Sequence, residues 1–450
     1  MTEVNYAILG LARTGLSAIE FLQSKGIHRN NIYCWDDNHA VHATAHDRAN
    51  ILAVQQWPFH TLKFALVVPG FNPSHAYIQI LKKNNVKIIS DIDLFFKYYN
   101  SSAKVLAVTG SNGKTTVCTM LEHAFKVNNM KHTTCGNIGT PALSVLQKGA
   151  QDYYILELSS FQLYYTNELN LDASVIINIT PDHLNYHGSF ENYCHAKSNI
   201  ISRNKNRLAV TWLPMAQSSA VDGIYNQLKD DYNIKLLGSS KGEADIYIKD
   251  NRFIMSRNSN DIILDYNTLS NINGLHNLYN IMSAYALWIT CDLDGDLFIN
   301  SLRSFQNKSH RQEVVKKINN VTFVNDSKAT TPYSGLTAVE YYNNIYWLVG
   351  GKLENKNFQD FANYKDKITQ VYTFGSGGKE IKDILDNLGI QSQCYDSIRN
   401  ALEQIKQDIP LDCSGATVLF SPCCLSFDQF KHYEERGDYF KHLVKEMFNV

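Results

Sequence analysis

The sequence lacks an excess of either charge. Its 42 lysine and arginine residues are balanced by 43 aspartate and glutamate residues, which leaves a formal net charge of −1. Proteins that bind nucleic acid usually carry a clear basic surplus, so we do not expect a nucleic-acid partner. Any anionic ligand must therefore be held by local groups.

Paired cysteines and long apolar runs are also missing. The nine cysteines are scattered and include no CxxC pair, which predicts free thiols in a reducing cytoplasm rather than disulfides or a zinc site. The start of the chain has no basic segment followed by an apolar one, so we expect no signal peptide. The longest apolar helical stretch, residues 281–291, is too short to cross a bilayer, and we expect no membrane association.

What is present is an alternation of strand-like and helical segments along 450 residues. Such alternation predicts an α/β fold with parallel sheets covered by helices. The length and two soft boundaries predict three domains, at residues 1–99, 100–306 and 307–450, and residues 204–273 are expected to form peripheral β structure. The predicted strands are Tyr6–Gly10, Ile32–Trp35, Ala65–Val68, Val105–Thr109, Tyr154–Leu158, Ala173–Asn178, Ile345–Gly350, Val371–Phe374 and Val418–Ser421.

The strongest local motif is a glycine-rich loop between an apolar strand and a helical pattern. Glycines let the backbone wrap around phosphates, and the helix N-terminus adds partial positive charge. Only two residues separate its glycines, whereas the usual phosphate loop has four, so a glycine-rich turn with an exposed lysine is the alternative interpretation. The predicted ATP-binding residues are Gly110, Ser111, Asn112, Gly113, Lys114, Thr115 and Thr116, with Lys114 on the β- and γ-phosphates and Thr115 on Mg²⁺.

Polar residues follow several of the other predicted strands. Glu157 lies near a strand end, where a carboxylate suits Mg²⁺, although a buried structural glutamate is the alternative. Asp182 and His183 follow the next strand and are candidates for metal or phosphate binding. Asn277 opens a helix and is either a nucleotide contact or a helix cap.

The last third of the chain carries further candidates for anion binding. Arg311 and Lys328 are candidate phosphate contacts, and Asp326 is a candidate ribose or metal contact. The segments 421–430 and 434–438 follow a predicted strand. Their residue types alone indicate only a loop and a charged helix face.

Taken together, these motifs resemble the Mur ligase family. The resemblance consists of the loop at Gly110, the segment Gly136–Gly139, the glutamate strand, and the Asp-His, Gly-x-His-Asn, His-Arg-x-Glu and Asn-Asp-Ser-Lys-Ala-Thr motifs in that order. Segments 157–163 and 421–438, with residues 10–17, resemble the branch of the family that adds D-glutamate. The resemblance to the family implies a Rossmann-like N-terminal domain, a central ATPase-like domain with a phosphate loop and a mostly parallel sheet, and a Rossmann-like C-terminal domain.

The resemblance also implies an activity and its site residues. ATP and Mg²⁺ would drive amide-bond formation between UDP-N-acetylmuramoyl-L-alanine and D-glutamate through an acyl phosphate, in cytoplasmic peptidoglycan synthesis by a monomer. Lys114, Glu157, His183 and Lys197 would be catalytic, and Thr115, Glu157, His183 and carbamylated Lys197 would hold the metal. The UDP-linked substrate would contact Thr14, Gly15, Asp36, Gly70, Asn137, Ser159 and Gln162. Besides the loop, ATP would contact Asn277, Arg311 and Asp326, whereas D-glutamate would contact Lys328, Thr330, Ser426 and Tyr433.

The sequence departs from the family pattern at four places. Ala12 replaces a glycine, Asn38 replaces a basic residue, and Thr331 replaces an asparagine, while the basic residue expected after Gly351 is displaced to Lys352 or Lys356. Three rival interpretations remain: a sister ligase that adds another amino acid or extends folate, a nicotinamide-dependent oxidoreductase, and a catalytically silent homologue. The glutamate-strand and C-terminal motifs argue against the first, the loop at Gly110 against the second, and the intact polar set against the third.

Overall fold

The fold is taken from a computed structural model. It describes residues 4–99, 102–149, 151–214, 219–238, 244–249, 252–255, 262–265, 269, 272, 275–306, 309–318, 320–354, 356–409 and 415–448. The chain divides into two compact units, a first unit of Met1–Ser270 with Asn277–Phe305 and a second unit of Asn271–His276 with Gln306–Val450.

The first sheet belongs to the first unit and is entirely parallel. Its strand order is β3-β2-β1-β4-β5. The strands are β1 (Asn5–Leu9), β2 (Ile32–Trp35), β3 (Asn50–Ile51), β4 (Leu62–Val67) and β5 (Ile88–Ile89), and the helices are α1 (Arg13–Ser24), α2 (Ala76–Lys83) and α3 (Asp91–Tyr98). Every residue of β1 is buried, as expected for a central parallel strand that is covered on both faces.

The second sheet of the first unit has nine strands in the order β14-β13-β12-β11-β10-β9-β6-β8-β7. The strands from β12 to β7 pair in parallel, and β13 and β14 extend the sheet as antiparallel strands. The strands are β6 (Lys104–Thr109), β7 (His132–Gly136), β8 (Tyr153–Glu157), β9 (Ala173–Ile176), β10 (Val210–Pro214), β11 (Ile234–Gly238), β12 (Ile246–Lys249), β13 (Arg252–Met255) and β14 (Ile262–Asp265). The helices are α4 (Lys114–Val127), α5 (Ala142–Val145), α6 (Ser160–Tyr165), α7 (Leu184–His187), α8 (Phe190–Ser202), α9 (Ser219–Leu228), α10 (Leu275–Thr290) and α11 (Gly295–Leu302).

The third sheet forms the second unit and has six strands in the order β15-β16-β20-β17-β18-β19. All neighbouring strands are parallel except β15 and β16, which pair in antiparallel fashion. The strands are β15 (Glu313–Ile318), β16 (Val321–Asn325), β17 (Ile345–Gly350), β18 (Ile368–Phe374), β19 (Ser392–Tyr395) and β20 (Ala416–Phe420), and the helices are α12 (Pro332–Tyr341), α13 (Gly378–Asn387), α14 (Ile398–Asp408) and α15 (Tyr433–Met447).

The alternation of side chains along these strands divides the core of the second unit into two layers. On β20, Val418 and Phe420 face one cluster while Leu419 faces the other. On β17, Leu348 faces the first of these clusters and Trp347 the second, because successive side chains of a strand point to opposite faces. Both faces are covered by helices, so the whole of β17 is buried.

The α/β architecture predicted from the sequence is confirmed. Each of the nine predicted strands overlaps a strand of the structure, and residues 204–273 contain β10 to β14 as expected. The prediction missed the short strands β3 and β5 and the partly exposed strands β7, β15, β16 and β19, because these lack a long continuous apolar run.

Two further features of the structure bear on expectations from the composition: the state of the cysteines and the apolar character of the helices. The eight described cysteines are free thiols, and Cys413 lies outside the described residues. None of the described helices combines the length and apolar character that a membrane crossing needs.

Candidate functional site

Three adjacent parallel strands of the second sheet deliver polar groups to one edge. Strand β6 lies between β8 and β9, so their carboxyl ends meet. The glycine-rich loop at Gly110 follows β6, Glu157 ends β8, and Asn178 comes shortly after β9. Ligand sites of α/β proteins form at such an edge, where strands of the same sheet end side by side.

The loop at Gly110 is shaped by hydrogen bonds from the segment that follows β9. The backbone N–H of Asn112 donates to Asn178 Oδ1 at 2.9 Å, and the N–H of Ser111 donates to the Asn178 carbonyl at 3.0 Å. The Ser111 hydroxyl lies 2.8 Å from the Tyr193 hydroxyl. Gly113 precedes α4 with φ +83°, and a Cβ there would overlap Asn280 Oδ1, so only glycine fits.

The side-chain nitrogens of two lysines converge on the carbonyl of Gly110. Lys114 Nζ donates to it at 2.7 Å and to the Ser111 carbonyl at 2.9 Å, and Lys197 Nζ donates to it at 2.7 Å from α8. Lys197 is only 1% exposed. Burial, followed by the positive charge of Lys114, holds the pKa of Lys197 well below its usual range.

Glu157 holds a buried carboxylate beside the first turn of α4. It is 2% exposed and accepts hydrogen bonds from Thr115 Oγ1 at 3.0 Å and from Asn137 Nδ2 at 2.8 Å. The structure therefore brings together Thr115, Asn137 and Glu157, three of the residues predicted from the sequence. A Cβ on Gly136 would overlap the Glu157 carbonyl, so β7 and β8 approach closely at this point.

His183 lies on the same side of the loop in a strained backbone conformation. It caps α7 with φ +52°, and its Nε2 is 3.4 Å from Asp182 Oδ2. Burial lowers the pKa of His183, the charges of Lys114 and Lys197 lower it further, and Asp182 opposes them. A neutral imidazole is a suitable metal ligand.

The predicted UDP-substrate residues of the first sheet surround the turn between β1 and α1. Asp36 Oδ2 accepts the N–H of Leu11 at 2.7 Å, which links the end of β2 to this turn. Gly15 packs so closely that a Cβ would overlap the Gly10 carbonyl. Thr14 is half-buried in the first turn of α1, and Gly70 is exposed after β4.

Ser159 and Gln162 form a buried capping box at the start of α6. The N–H of Gln162 donates to Ser159 Oγ at 3.2 Å, and the N–H of Ser159 donates to Gln162 Oε1 at 3.2 Å. Gln162 Nε2 also donates to Asp91 Oδ1 at 3.2 Å, at the start of α3. Both side chains are therefore engaged in helix capping, a role that was not predicted for them.

Asn277 lies in the first turn of α10, close to the phosphate-binding loop. It is buried, and its Oδ1 accepts a hydrogen bond from Asn280 Nδ2 at 3.2 Å. Because Asn280 is the side chain that meets Gly113, the start of α10 lies beside the loop.

In the second unit, Asp326 is a buried carboxylate at the end of β16. It is 6% exposed and accepts hydrogen bonds from Ser421 Oγ at 2.9 Å and from the N–H of Gln312 at 3.2 Å. Burial raises the pKa of Asp326 to about 7, and the two hydrogen bonds and the positive charge of Arg311 oppose this rise.

One buried arginine, Arg436, links two of the loops that carry predicted amino-acid-binding residues. Lys328 Nζ lies 3.9 Å from the centre of the Tyr433 ring. Arg436 donates to the Ser327 carbonyl at 2.8 Å and to the Cys424 carbonyl at 2.9 Å, so it ties the loop of Lys328 to the loop that leads to Ser426. Thr330 is half-buried two residues after Lys328, and Ser426 is buried.

Three of the sequence departures occupy helix-capping positions. Asn38 Oδ1 accepts the N–H of Ala40 at 3.1 Å, and Thr331 Oγ1 accepts the N–H of Ser334 at 3.3 Å, both of which are favourable N-caps. Ala12 precedes α1 without a side-chain cap. Among the displaced lysines, Lys356 pairs with Glu380, and the backbone of Lys352 pairs with that of Leu425.

Three residues of this site were given no role in the sequence analysis: Asn178, Tyr193 and Asn280. Asn178 follows a buried strand, and Tyr193 precedes Lys197 by four residues on α8, so both could have been found from strand-end and helical spacing. Asn280 could not, because its contact with Gly113 joins distant segments. Within the described parts of the chain, no group of three or more His, Cys, Asp or Glu side chains is arranged to hold a metal ion.

Comparisons with known proteins agree with these features. Residues 108–288 match the family model described as the Mur ligase middle domain. The chain is 33% identical to a UDP-N-acetylmuramoylalanine–D-glutamate ligase of Rickettsia bellii, over 98% of this chain and 97% of that protein. It is 31% identical to the ligase of the same name from Wolbachia pipientis, over 98% of this chain and 96% of that protein.

A solved structure shares the fold. The MurF ligase of Thermotoga maritima in complex with ADP superposes with a TM-score of 0.60 at 18% identity, covering 99% of both chains. At this identity, the likeness concerns the fold alone.

Three helix-covered sheets, one with a lysine-bearing glycine loop between strand and helix, define a phosphate-loop type of α/β protein. The near full-length relatives narrow this class. The chain belongs to the Mur ligase family, with the UDP-N-acetylmuramoylalanine–D-glutamate ligases among its members.

Proposed function

We propose that this chain is an ATP-dependent ligase that joins D-glutamate to UDP-N-acetylmuramoyl-L-alanine in cytoplasmic peptidoglycan precursor synthesis. The observation that carries the proposal is the convergence of Lys114, Lys197, Thr115 and Glu157 on one phosphate-binding loop. The name shared by its relatives supplies the substrates.

Each of the three proposed domains would bind one of the ligands, in the order of the chain. Residues 1–99 would bind the UDP moiety, residues 100–306 would bind ATP, and residues 307–450 would bind D-glutamate. Thr14, Gly15, Asp36 and Gly70 would contact the nucleotide of the substrate, and Asn137, Ser159 and Gln162 would lie along its sugar and peptide. Lys328, Thr330, Ser426 and Tyr433 would hold D-glutamate.

The chemistry of Glu157 fits a magnesium ion. Its buried carboxylate has the hydroxyl of Thr115 and the amide of Asn137 as partners, and no lysine or arginine of the described chain pairs with it. A buried carboxylate with neutral partners is costly unless a cation joins it. Oxygen donors from a threonine, a carboxylate and phosphates are the ligands that Mg²⁺ prefers.

Lys197 is a suitable position for carbamylation. Its amine is buried and lies near the ammonium of Lys114, so the neutral form is favoured. A neutral amine adds to CO₂ and releases a proton, which leaves an anionic carbamate. That group would join Thr115, Glu157 and His183 as a metal ligand.

The reaction needs charge neutralisation before bond formation, because both co-substrates and ATP are anionic. Lys114 and the N-terminus of α4 would hold the γ-phosphoryl group of ATP while the L-alanyl carboxylate attacks it; the bond from the γ-phosphorus to the bridging oxygen breaks, and ADP leaves. Bound Mg²⁺ would supply further charge neutralisation on the phosphates. The amine of D-glutamate, oriented by Lys328 and Thr330, would then attack the acyl phosphate, and inorganic phosphate would leave.

The test is phosphate release from ATP with Mg²⁺ and UDP-N-acetylmuramoyl-L-alanine, with D-glutamate, L-glutamate, meso-diaminopimelate or L-lysine as the acceptor. We expect release and a new dipeptide product with D-glutamate alone, and none from Lys114→Ala. Release with another amino acid would make the chain a sister ligase. A protein that folds but releases no phosphate with any acceptor would be a silent homologue.

A further inference from the structure

The carbonyl oxygen of Phe71 accepts hydrogen bonds from two tyrosines. Tyr165 Oη donates to it at 3.2 Å and Tyr186 Oη at 2.9 Å. Phe71 belongs to the turn after β4 in the first sheet, whereas Tyr165 ends α6 and Tyr186 lies in α7, both beside the second sheet. A carbonyl oxygen has two lone pairs, so the two phenols saturate it. We call this arrangement the tyrosine clamp.

At one end, the tyrosine clamp holds the turn that packs on the proposed nucleotide loop. The Phe71 ring lies 3.3 Å from the position that a Cβ on Gly10 would occupy, and it packs edge-on against His75 at 4.9 Å. The N–H of Phe71 donates to the Val68 carbonyl at 3.3 Å, so the turn is closed on β4. Phe71 therefore packs on Gly10 in the β1–α1 loop and directly follows Gly70 in the chain.

At the other end, the tyrosine clamp is built on the segment of His183. The N–H of Tyr186 donates to the His183 carbonyl at 3.0 Å. The Phe161 ring packs against both residues, at 4.2 Å from the Tyr186 ring and 4.7 Å from the His183 ring. Movement of Tyr186 would therefore move the turn that carries His183.

Both phenols are available as donors at neutral pH. Tyr165 is 6% exposed, and burial raises the pKa of Tyr165 and of Tyr186 above the usual range, so the hydroxyls keep their protons. Tyr165 and Phe71 are both buried, so water has little access to replace the Tyr165 hydroxyl on the Phe71 carbonyl, whereas Tyr186 is half-buried.

We propose that Tyr165 and Tyr186 are positioning residues that set the spacing between the nucleotide loop at Gly10 and the turn of His183, and thereby the affinity for the UDP-linked substrate. This inference rests on the proposed function. Other contacts already join the two sheets: Ser90 Oγ with Thr166 Oγ1 at 2.9 Å, and Ser17 Oγ with Ser144 Oγ at 2.8 Å. The fold therefore does not depend on the two phenols, and their removal acts on the spacing.

The test uses Tyr165→Phe, Tyr186→Phe and the double variant in the full chain. We expect each single variant to raise the KM for UDP-N-acetylmuramoyl-L-alanine by about fivefold, the equivalent of one net hydrogen bond. The double variant is expected to exceed the product of the two, because only then is the carbonyl left with neither partner. The KM for D-glutamate is expected to stay within about twofold, because none of the residues proposed to bind it belongs to the tyrosine clamp.

Tyr164→Phe is the matched control. Its ring packs against that of Tyr165 at 5.0 Å, yet its hydroxyl does not bond the Phe71 carbonyl, so its kinetics are expected to match those of the wild type. A second readout needs no substrate: hydrogen–deuterium exchange of the free protein. The amides of Phe71 and His75 are expected to exchange faster in the double variant and to be unchanged in Tyr164→Phe.

The outcomes separate this inference from the proposed function. An active wild type with an unchanged KM for the UDP-linked substrate in the double variant would overturn the inference alone. So would equal rises in all three KM values with faster exchange throughout the first unit, since that pattern reports general loosening. A folded wild type that is inactive with every acceptor would overturn the proposed function, and the substrate role of the tyrosine clamp with it.

Discussion

Replacing Asp326 by asparagine is expected to stabilise the second unit in a pH-dependent manner. Burial raises the pKa of Asp326 from its ordinary value of 3.8 to about 7 in the folded protein. Each unit of pKa difference corresponds to about 1.4 kcal/mol, so ionised Asp326 costs the folded state about 4 kcal/mol above pH 7. Asparagine keeps the size of the side chain and removes this cost.

The direction of the pH dependence follows from proton binding. Between pH 4 and pH 7 the folded state holds a proton on Asp326 that the unfolded state has released, so the wild type loses stability as the pH rises. Below about pH 4 both states are protonated, and the cost vanishes. The stability advantage of Asp326→Asn over the wild type should therefore be near zero at pH 4 and largest at pH 8.

The assay is urea-dependent hydrogen exchange followed by mass spectrometry, measured on peptides of β16 and β20. We expect the free energy of unfolding of Asp326→Asn to exceed that of the wild type by about 4 kcal/mol at pH 8, less the small cost of rearranging its hydrogen bonds to Ser421 and Gln312. Asp360→Asn, an exposed position of the same unit, is the control. An advantage that is the same at both pH values, or a less stable variant at pH 8, would refute this account of Asp326.

Three further predictions concern the glycine-rich loop at Gly110 and the residues around it. Lys114→Ala and Glu157→Ala are each expected to lower turnover by about 10³-fold or more, measured by phosphate release, and near-normal rates would contradict their assigned roles. ¹³C-labelled bicarbonate is expected to give a carbamate resonance in the wild type that is absent from Lys197→Arg; the same spectrum from both proteins would exclude the modification at this residue. Gly113→Ala is expected to abolish ATP turnover, because its φ of +83° and the side chain beyond it leave no room for a Cβ, whereas Gly149→Ala, where a Cβ meets nothing within 4 Å, should retain full activity.

Much of the site was predictable from the sequence, because local apolar patterns indicate where the strands end. Buried parallel strands give continuous apolar runs, and their carboxyl ends share one edge, so the loop after Thr109 and the carboxylate of Glu157 were expected to meet. The order of motifs then predicted the family. Thr115, Glu157 and Lys114 lie together as these patterns indicated.

Other assignments needed the tertiary structure. The hydrogen bond from Gln162 to Asp91 joins two helices that are 71 positions apart in the chain, and no local pattern predicts it. The approach of Lys197 to Gly110 joins residues 87 positions apart, and no local spacing encodes it.

The sequence by itself determined the class of fold, the position of the glycine-rich loop and the family, because periodicity and motif order are properties of neighbouring residues. The tertiary structure alone decided which side chains lose contact with water and which distant groups become partners. Burial raises the pKa of Asp326 and lowers the pKa of Lys197. Two tyrosines from helices beside the second sheet donate to a carbonyl in a turn of the first sheet. These effects depend on the dielectric and on packing in three dimensions, which arise only once the chain has folded.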